Sequence, residues 1–309
     1  MTIAVLRITI RLAEDISDPY LLFRIRDGFQ RSFRRVVGCA EEECVLCNRR
    51  NECPYRIVFA QALSSDPATV KRHQKPPLPF AFSFPVIPSQ QKSDTLFEIR
   101  LALLGTATRF VTEFLDSLKL LCSKHDQRDE LAAIVERVES LGYRGEPYLI
   151  YAADHSAGFA ESLTLLTSEG LCDTRWVDVS GDVTLRLLTP LKIMQDGRPS
   201  RTFSFPLLMR TLIRRISSLA SYYCDDEILV DFRWLASLCE TVTVSGSSIQ
   251  WVEWGGGKQG RKLAGLTGEA VLSSVPEEFI PFLLLGEFLN VGKGAAFGLG
   301  RFSIGANCP

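Results

Sequence analysis

The second half of the chain alternates strand-like and helix-like segments in an order that few folds share. Apolar residues at every second position indicate strands, and apolar residues three or four apart indicate helices. The predicted segments are a strand at 183–188, a helix at 205–222, strands at 242–253 and 268–273, a helix at 276–289 and a closing strand at 301–305. Strand–helix–strand–strand–helix–strand is the order of the ferredoxin-like fold. We therefore expect a ferredoxin-like (RRM-like) domain over residues 181–309.

The first half predicts a similar domain, interrupted by a cysteine-rich insertion at about 38–56. Residues 2–12 alternate between apolar and polar side chains, as a half-buried strand does. The other predicted elements are a helix at 18–37, a strand near 96–103, helices at 108–122 and 128–139, and a strand at 148–152. We therefore expect an α+β protein of two tandem ferredoxin-like domains, the first over residues 1–178.

Composition limits the class of protein. At 309 residues, with 46% hydrophobic and 23% charged residues, the chain suits a globular protein of two domains. No run approaches the roughly 18 apolar residues of a membrane helix, and the first residues lack the pattern of a signal peptide. We expect a cytoplasmic protein. Because the net charge is −1, binding to a nucleic acid would depend on local basic clusters.

A glycine-rich segment precedes the closing strand. Five glycines, Lys293 and Arg301 fall within the 17 residues 286–302. Glycines this dense permit positive φ and let backbone N–H groups face an anion. The order of residues matches neither a Walker loop nor a dinucleotide-binding fingerprint. The segment is suited to a phosphodiester backbone, and the alternative is a tight hairpin without a ligand.

This segment resembles the glycine-rich loop of the CRISPR-associated RAMP superfamily, in particular its pre-crRNA-processing endoribonuclease family. The matching pattern is Val291-Gly-Lys-Gly294 followed by Phe297-Gly-Leu-Gly-Arg-Phe302. Stretches elsewhere that agree in order are 44–47, 53–55, 76–80, 189–192, 205–215, 258–262 and 265–268. Members of the family often carry a histidine where this chain has Asn290, so an acid–base role at that position is lost.

The resemblance implies that the chain binds CRISPR repeat RNA or crRNA. It also implies other CRISPR effector subunits as partners, and no membrane. The candidate RNA-binding residues are basic residues in clusters and the residues of the glycine-rich loop. They are Lys71, Arg72, Arg210, Arg214, Arg215, Lys258, Arg261, Gly292, Lys293, Gly294, Gly298, Gly300 and Arg301.

Four of the nine cysteines lie within 15 residues: Cys39, Cys44, Cys47 and Cys53. The two-residue spacing between Cys44 and Cys47 lets two thiolates reach one metal ion. We expect a structural zinc ion held by all four thiolates, in preference to an iron–sulfur cluster. The alternative is that the cysteines are merely buried.

An RNase that works without a metal needs a base for the attacking 2′-OH, an acid for the leaving 5′-oxygen and cations for the developing charge. Histidine suits both proton transfers, and the chain has only three. His73, between two basic clusters, is the first candidate, and His155, beside Asp154, is the second. Such an enzyme would leave a 5′-OH and a 2′,3′-cyclic phosphate. An arrangement without histidine, using Arg214 and Arg215 or Tyr55, stays open.

The expected function is therefore an endoribonuclease that binds and cleaves the repeat RNA of precursor crRNA. Two other functions are alternatives to it. The first is a non-catalytic crRNA-binding RAMP subunit of a CRISPR effector complex. The second is a zinc-stabilised protein-interaction module, against which the basic helix at 205–222 argues.

Overall fold

The computed structural model describes residues 1–39, 44, 52–73, 75–87, 90–123, 132–153, 163–175, 182–255 and 262–306. The strands of the first half are β1 (Thr2–Leu12), β2 (Phe80–Ser83), β3 (Leu96–Leu104), β4 (Ala133–Leu141), β5 (Pro147–Ala152) and β6 (Leu166–Thr167). Its helices are α1 (Ile25–Val36), α2 (Pro54–Phe59), α3 (Pro67–His73), α4 (Val111–Cys122) and α5 (Ser168–Thr174), with 3-10 segments at Leu21–Arg24 and Gly105–Phe110.

The second half contains the longest helix. Its strands are β7 (Val183–Leu191), β8 (Met194–Gln195), β9 (Arg198–Pro199), β10 (Thr243–Ser247), β11 (Gln250–Trp254), β12 (Leu263–Ser273) and β13 (Phe302–Ala306). Its helices are α6 (Phe205–Tyr223), α7 (Phe232–Cys239) and α8 (Ile280–Leu289), with a 3-10 turn at Glu277–Phe279.

Each half forms an antiparallel sheet with the strand order of a ferredoxin-like domain. The first sheet runs β2-β3-β1-β4-β5, and the second runs β10-β12-β7-β13. In each, the first strand of the half lies inside the sheet between two neighbours, one that precedes the second helix of the fold and one that follows it: β3 and β4 around α4, and β12 and β13 around α8. The predicted fold class is confirmed. The predicted domain boundary at 178–181 falls in 176–181, outside the described residues.

The two domains share apolar packing. One face of β1, including Leu6 and Ile8, packs on helices α1 and α4 in the core of the first domain. Two residues of its opposite face, Ile3 and Val5, belong to the core of the second domain, together with Leu212 of α6. Burying such a side chain contributes about 1.5–3 kcal/mol, so this shared packing ties the two sheets to each other.

Helix α6 forms because its first turn is capped and one of its faces is apolar. The Ser204 side chain accepts a hydrogen bond from the backbone N–H of Leu207, which caps the first turn. Pro206 lies in that turn, where its missing N–H costs no helical hydrogen bond. Residues at helical spacing, including Leu208 and Leu212, are fully buried. The polar face of the helix is therefore left to carry arginines.

One predicted element has the wrong type of secondary structure. Residues 128–139 were expected to be helical, but 133–141 form strand β4. A register shift opposite Thr9 and Ile10 introduces a bulge into the pairing of β4 with β1. Because of the bulge, Val135 and Val138 both face the core although they are three residues apart. Apolar residues three positions apart are also the pattern of a helix, so the segment was predicted to be helical.

Two smaller differences concern the second half. The strand predicted at 242–253 is a pair, β10 and β11, which both bond to β12. Helix α7 was not predicted. None of the helices in the described part of the chain is both long and apolar enough to cross a bilayer.

Candidate nucleic-acid interface

The glycine-rich loop connects α8 to β13 and lies against the first domain. Gly292, Gly294, Gly298 and Gly300 all have positive φ, as expected from the sequence. Most backbone N–H groups of the loop donate within the protein: Asn290 to Gly286, Val291 to Gly300, Lys293 to Lys192, Ala295 to Gly292, Phe297 and Leu299 to Gly294, Gly298 to Ala295, Gly300 to Pro190, and Arg301 to the Thr189 hydroxyl. These groups are not available to an anion.

The glycines allow close packing of the loop. A Cβ on Gly298 would lie 2.5 Å from the Phe84 ring, and one on Gly292 would lie 2.7 Å from the Lys192 carbonyl oxygen. On Gly300 it would overlap the Val291 carbonyl oxygen. These contacts explain the glycines through backbone conformation and packing. Direct contact of the four glycines with RNA stays a prediction.

Lys293 and Arg301 lie at opposite sides of the loop. The Lys293 side chain is exposed. Arg301 is half-buried, and its Nη1 donates to the Phe84 carbonyl oxygen at 3.2 Å. Burial lowers the pKa of Arg301, and the nearby positive charge of Arg100 lowers it further. The two arginines therefore face each other closely enough to repel.

A cleft between the two sheets brings these arginines together. Its cavity of about 120 Å³ is lined by Val5, Ala81, Ser83, Arg100, Ala102, Arg175, Leu188, Glu287, Phe288, Arg301, Phe302 and Ser303. Since a water molecule occupies about 30 Å³ of liquid, the cavity fits a group the size of a phosphate and not a drug-sized molecule.

One carboxylate lines the cleft and is already paired. Arg175 Nη2 lies 2.6 Å from Glu287 Oε2, and the Ile304 N–H donates to Glu287 Oε1. Burial raises the pKa of Glu287, and the positive charge of Arg175 opposes that effect. Arg100 has no ion pair among the described residues. The cleft therefore has an excess of positive charge and favours an anion.

Arg100 and Arg175 were not among the predicted site residues. Neither belongs to a basic cluster in the sequence, and only the pairing of strands and the packing of α5 bring them to Arg301. The alternation of β3 does place Arg100 on the polar side of the strand, opposite Arg7 in β1. An arginine on the polar side of a strand is common, so this pattern alone did not identify Arg100 as a site residue.

The arginines of α6 point in different directions. Arg210 and Arg214 are exposed. Arg215 is half-buried and donates from Nε to the Leu289 carbonyl oxygen at 3.1 Å and from Nη2 to the Phe80 carbonyl oxygen at 3.4 Å. Burial lowers its pKa to about 10, so it is still charged at neutral pH. Both N–H groups bond to backbone, not to solvent.

Helix α3 places its three predicted residues in three environments. Lys71 is exposed, and Arg72 forms an ion pair with Glu227. His73 is only 8% exposed; its Nδ1 lies 3.3 Å from the Ser218 hydroxyl, and its ring packs edge-on to Tyr222. Burial, and then the charge of Arg72, lower the pKa of His73. For His73 to reach a phosphodiester, α3 would have to separate from α6.

Several predicted residues lie outside the described part of the chain. They are His155, Lys258, Arg261 and Cys47. Nothing in the structure tests them.

The remaining three predicted zinc ligands do not form a metal site. Cys53 is buried at the start of α2, while Cys39 and Cys44 are half-buried against the same core. Arg34 donates a hydrogen bond to Cys39, which is the main cause of the raised pKa of Arg34. Among the residues that the structure describes, no three metal-ligating side chains are grouped closely enough to hold an ion. The structure therefore gives no support to zinc.

Family models match both halves of the sequence. The model of the CRISPR-associated endoribonuclease Cas6 matches residues 185–302. A family described as an N-terminal domain matches residues 1–163. No curated protein sequence gives a match.

Solved structures share the fold. A Cas6 (TTHB231) product complex, of the Cas6 from Thermus thermophilus, aligns with a TM-score of 0.55 at 17% identity, covering 98% of this chain and 99% of that one. A Cas6 (TTHA0078) product complex aligns with a TM-score of 0.52 at 18% identity, covering 99% and 100%. A partial Cas6-RT-Cas1–Cas2 complex aligns with a TM-score of 0.60 at 12% identity, and this chain spans 46% of the matched chain.

The fold, the glycine-rich loop between α8 and β13, and the two family matches agree with each other. Residues 185–302, which carry the loop, therefore match the Cas6 family of CRISPR-associated endoribonucleases, and the whole chain has the fold of solved Cas6 structures.

Proposed function

We propose that the protein binds the repeat RNA of precursor crRNA with its backbone in the cleft between the two sheets, and that it cleaves this RNA. The main observation is the pair Arg100 and Arg301, two cations that line one phosphate-sized cleft and form no ion pair among the described residues. Guanidinium groups bind phosphate through several N–H donors in one plane. A phosphate between them would relieve their repulsion.

Exposed basic residues supply further phosphate contacts. Lys71, Arg210, Arg214 and Lys293 are all exposed, and none has an ion pair with another described residue. We refer to these four as the exposed basic residues. An RNA that follows them would exchange condensed counterions for protein cations, so its affinity would fall as salt rises.

For cleavage we propose attack by the RNA's own 2′-OH on the adjacent phosphate. The 2′-oxygen forms a bond to phosphorus while the bond to the 5′-oxygen breaks, leaving a 2′,3′-cyclic phosphate and a 5′-OH. No metal ion is needed, since arginines stabilise the developing charge, one side chain accepts the 2′-OH proton and another donates a proton to the leaving 5′-oxygen. The buried position of His73 speaks against it as that base and favours His155.

A second function has its own support. His73 is the one histidine within the described ranges, and it is buried. The family's loop histidine is replaced by Asn290, which is fully buried. A RAMP subunit that binds crRNA and does not cut it fits these two observations. Both functions predict other CRISPR proteins as partners, and one structural neighbour is itself part of a Cas6-RT-Cas1–Cas2 complex.

One experiment separates the two functions. The pure protein is incubated with labelled repeat RNA in EDTA, beside the same RNA with a single 2′-deoxy substitution 5′ to the scissile phosphate. The enzyme would cut only the first RNA and bind both, and His155→Ala would slow cutting by about 10²–10⁴-fold. Cutting that requires magnesium, or that survives the 2′-deoxy substitution, rejects the mechanism. Binding of both RNAs without cutting supports the non-catalytic subunit.

Zinc binding is a separate proposal that rests on cysteine spacing alone. A structural zinc ion would need Cys44 and Cys47 together with two further thiolates. Elemental analysis of the untagged, reduced protein would give about one equivalent of zinc, and Cys44→Ser with Cys47→Ser would remove it. Reduced wild-type protein without zinc ends the proposal.

A further inference from the structure

Strand β2 has one edge paired with β3 and the other covered by the second domain. On the covered edge, three alternate carbonyl oxygens each accept a hydrogen bond from a different side chain. Phe80 accepts from Arg215 at 3.4 Å, Phe82 from Asn290 at 2.8 Å, and Phe84 from Arg301 at 3.2 Å. We call these six residues the seam. An unpaired strand edge exposes backbone groups that need partners, and here side chains of α6 and the loop provide them.

The backbone of the loop continues the seam. The Phe82 N–H donates to the Ala296 carbonyl oxygen at 2.9 Å, and Phe82 forms an isolated parallel bridge with Phe297. The rings of Phe80 and Phe297 pack edge to face, 5.4 Å apart. The glycine-rich loop thus takes the place of a further strand on the first sheet, although it belongs to the second domain.

Asn290 lies at the middle of the seam in a conformation that favours glycine. Its φ is 54° and its side chain is fully buried. The Nδ2 group donates both to Phe82 and to the Ala295 carbonyl oxygen, each at 2.8 Å. A non-glycine residue at positive φ costs free energy that its surroundings must offset. The two hydrogen bonds across and within the loop provide that compensation.

The seam also determines the distance between the two unpaired arginines of the cleft. Arg100 lies opposite Ser83 of β2 in the strand register, so it moves with the first domain. Arg301 ends the loop and bonds to Phe84. A shift of the loop along or away from β2 would therefore change the separation of Arg100 and Arg301.

We infer that Asn290 is a positioning residue: it holds the loop on β2 and thereby fixes the spacing of the two cations for one RNA phosphate. This inference rests on the proposed RNA-binding function. It predicts weaker RNA binding when Asn290 is replaced, although Asn290 is buried and contacts no RNA. Because no phosphate contact would be lost, the slope of log affinity against log salt should not change.

The test compares Asn290→Gly with Lys293→Ala. Glycine accepts the positive φ, so the variant removes the side chain and its two donated hydrogen bonds without adding backbone strain. Hydrogen exchange of the peptide covering 80–84 is measured without RNA, and repeat-RNA affinity is measured at several salt concentrations. For Asn290→Gly we expect exchange in 80–84 at least tenfold faster, unchanged exchange in α4, affinity about tenfold weaker and an unchanged salt slope. For Lys293→Ala we expect unchanged exchange and a smaller slope.

Three results would overturn the inference. Wild-type exchange in 80–84 of Asn290→Gly would show that Asn290 does not hold the seam. Faster exchange with wild-type RNA affinity would show that the seam does not position the arginines. A reduced salt slope in Asn290→Gly would show that a phosphate contact was lost instead.

The remaining controls keep the two proposals apart. If wild-type protein does not bind repeat RNA, the proposed function fails, while the exchange measurement still tests the seam. If Asn290→Gly does not fold, Arg215→Lys replaces it, since lysine keeps the charge but has its donors on one nitrogen, whereas Arg215 bonds to the two carbonyls from Nε and Nη2. The same exchange and slope results are then expected.

Discussion

Arg214 and Arg215 are neighbours in the sequence and have opposite surroundings. Arg214 is exposed, like Arg210 one turn earlier. Arg215 donates to two backbone carbonyls in and beside the seam. The comparison divides the arginines of α6 into two groups. The exposed group, Arg210 and Arg214, is free to bind a partner, and the buried one, Arg215, binds the protein itself.

The largest expected effect separates these two groups by stability. Arg215→Met removes two hydrogen bonds from a charged donor and leaves the carbonyl oxygens of Phe80 and Leu289 without it. We expect a loss of about 3 kcal/mol in the free energy of unfolding. Arg214→Met, the matched control, should stay within about 0.5 kcal/mol of wild type. Urea denaturation measures both, and equal values for the two variants would erase the distinction.

The second prediction concerns the glycines. Gly298→Ala places a Cβ 2.5 Å from the Phe84 ring and forces alanine to a φ of 82°. We expect a loss of about 2 kcal/mol in the free energy of unfolding. Gly305→Ala is the control, because Gly305 has open space and no positive φ. The two variants would be compared by thermal unfolding, where a Gly298→Ala protein as stable as Gly305→Ala would contradict the packing explanation.

The third prediction tests one of the exposed basic residues through its effect on RNA binding. Lys293→Ala should weaken repeat-RNA binding several-fold and lower the salt slope by about 0.7–0.9, the amount expected for one phosphate contact. Its free energy of unfolding should stay at the wild-type value, because the side chain is exposed. Binding titrations from low to high salt measure the slope. Unchanged affinity and slope would place the RNA elsewhere.

The sequence predicted the order of the elements well because hydrophobic periodicity reports which face of an element is buried. It failed at β4, where a bulge put Val135 and Val138 on one side at helical spacing. Local pattern carries no information about a partner strand's register, so such a strand resembles a helix.

The site was predicted less completely than the fold. The glycine-rich loop and Arg301 were identified from the sequence. The structure adds that the glycines permit packing against Phe84 and Val291, while their contact with RNA stays a prediction. Arg214 and Arg215 were both candidates from one basic cluster, and only the tertiary structure shows that Arg215 bonds to backbone carbonyls. Helical spacing shows that two residues are near each other, but not which carbonyl lies within reach of one of them. Arg100 joins the site through tertiary structure, and its place on the polar side of β3 was too common a pattern to identify it.

The smallest expected effect is on the pH dependence of stability that His73 causes. It tests whether His73 is buried, like Arg215, or exposed, like Arg214. Burial lowers the pKa of His73 below its usual 6.5, and the charge of Arg72 acts in the same direction. The unfolded chain therefore binds a proton at a higher pH than the native protein does. The stability that neutral His73 provides is fully present above about pH 6.5 and is lost as the pH falls through its native pKa. In His73→Gln, which can still bond to Ser218, that part of the pH dependence should disappear. Urea denaturation of both proteins between pH 7.5 and pH 5 measures the difference, and His125 and His155 are common to both. A wild-type advantage that grows on acidification would mean that His73 binds its proton more readily in the native state, and a constant advantage would mean that its pKa is the same in both states. Either result would contradict the burial of His73 and would return it to the list of candidate catalytic bases.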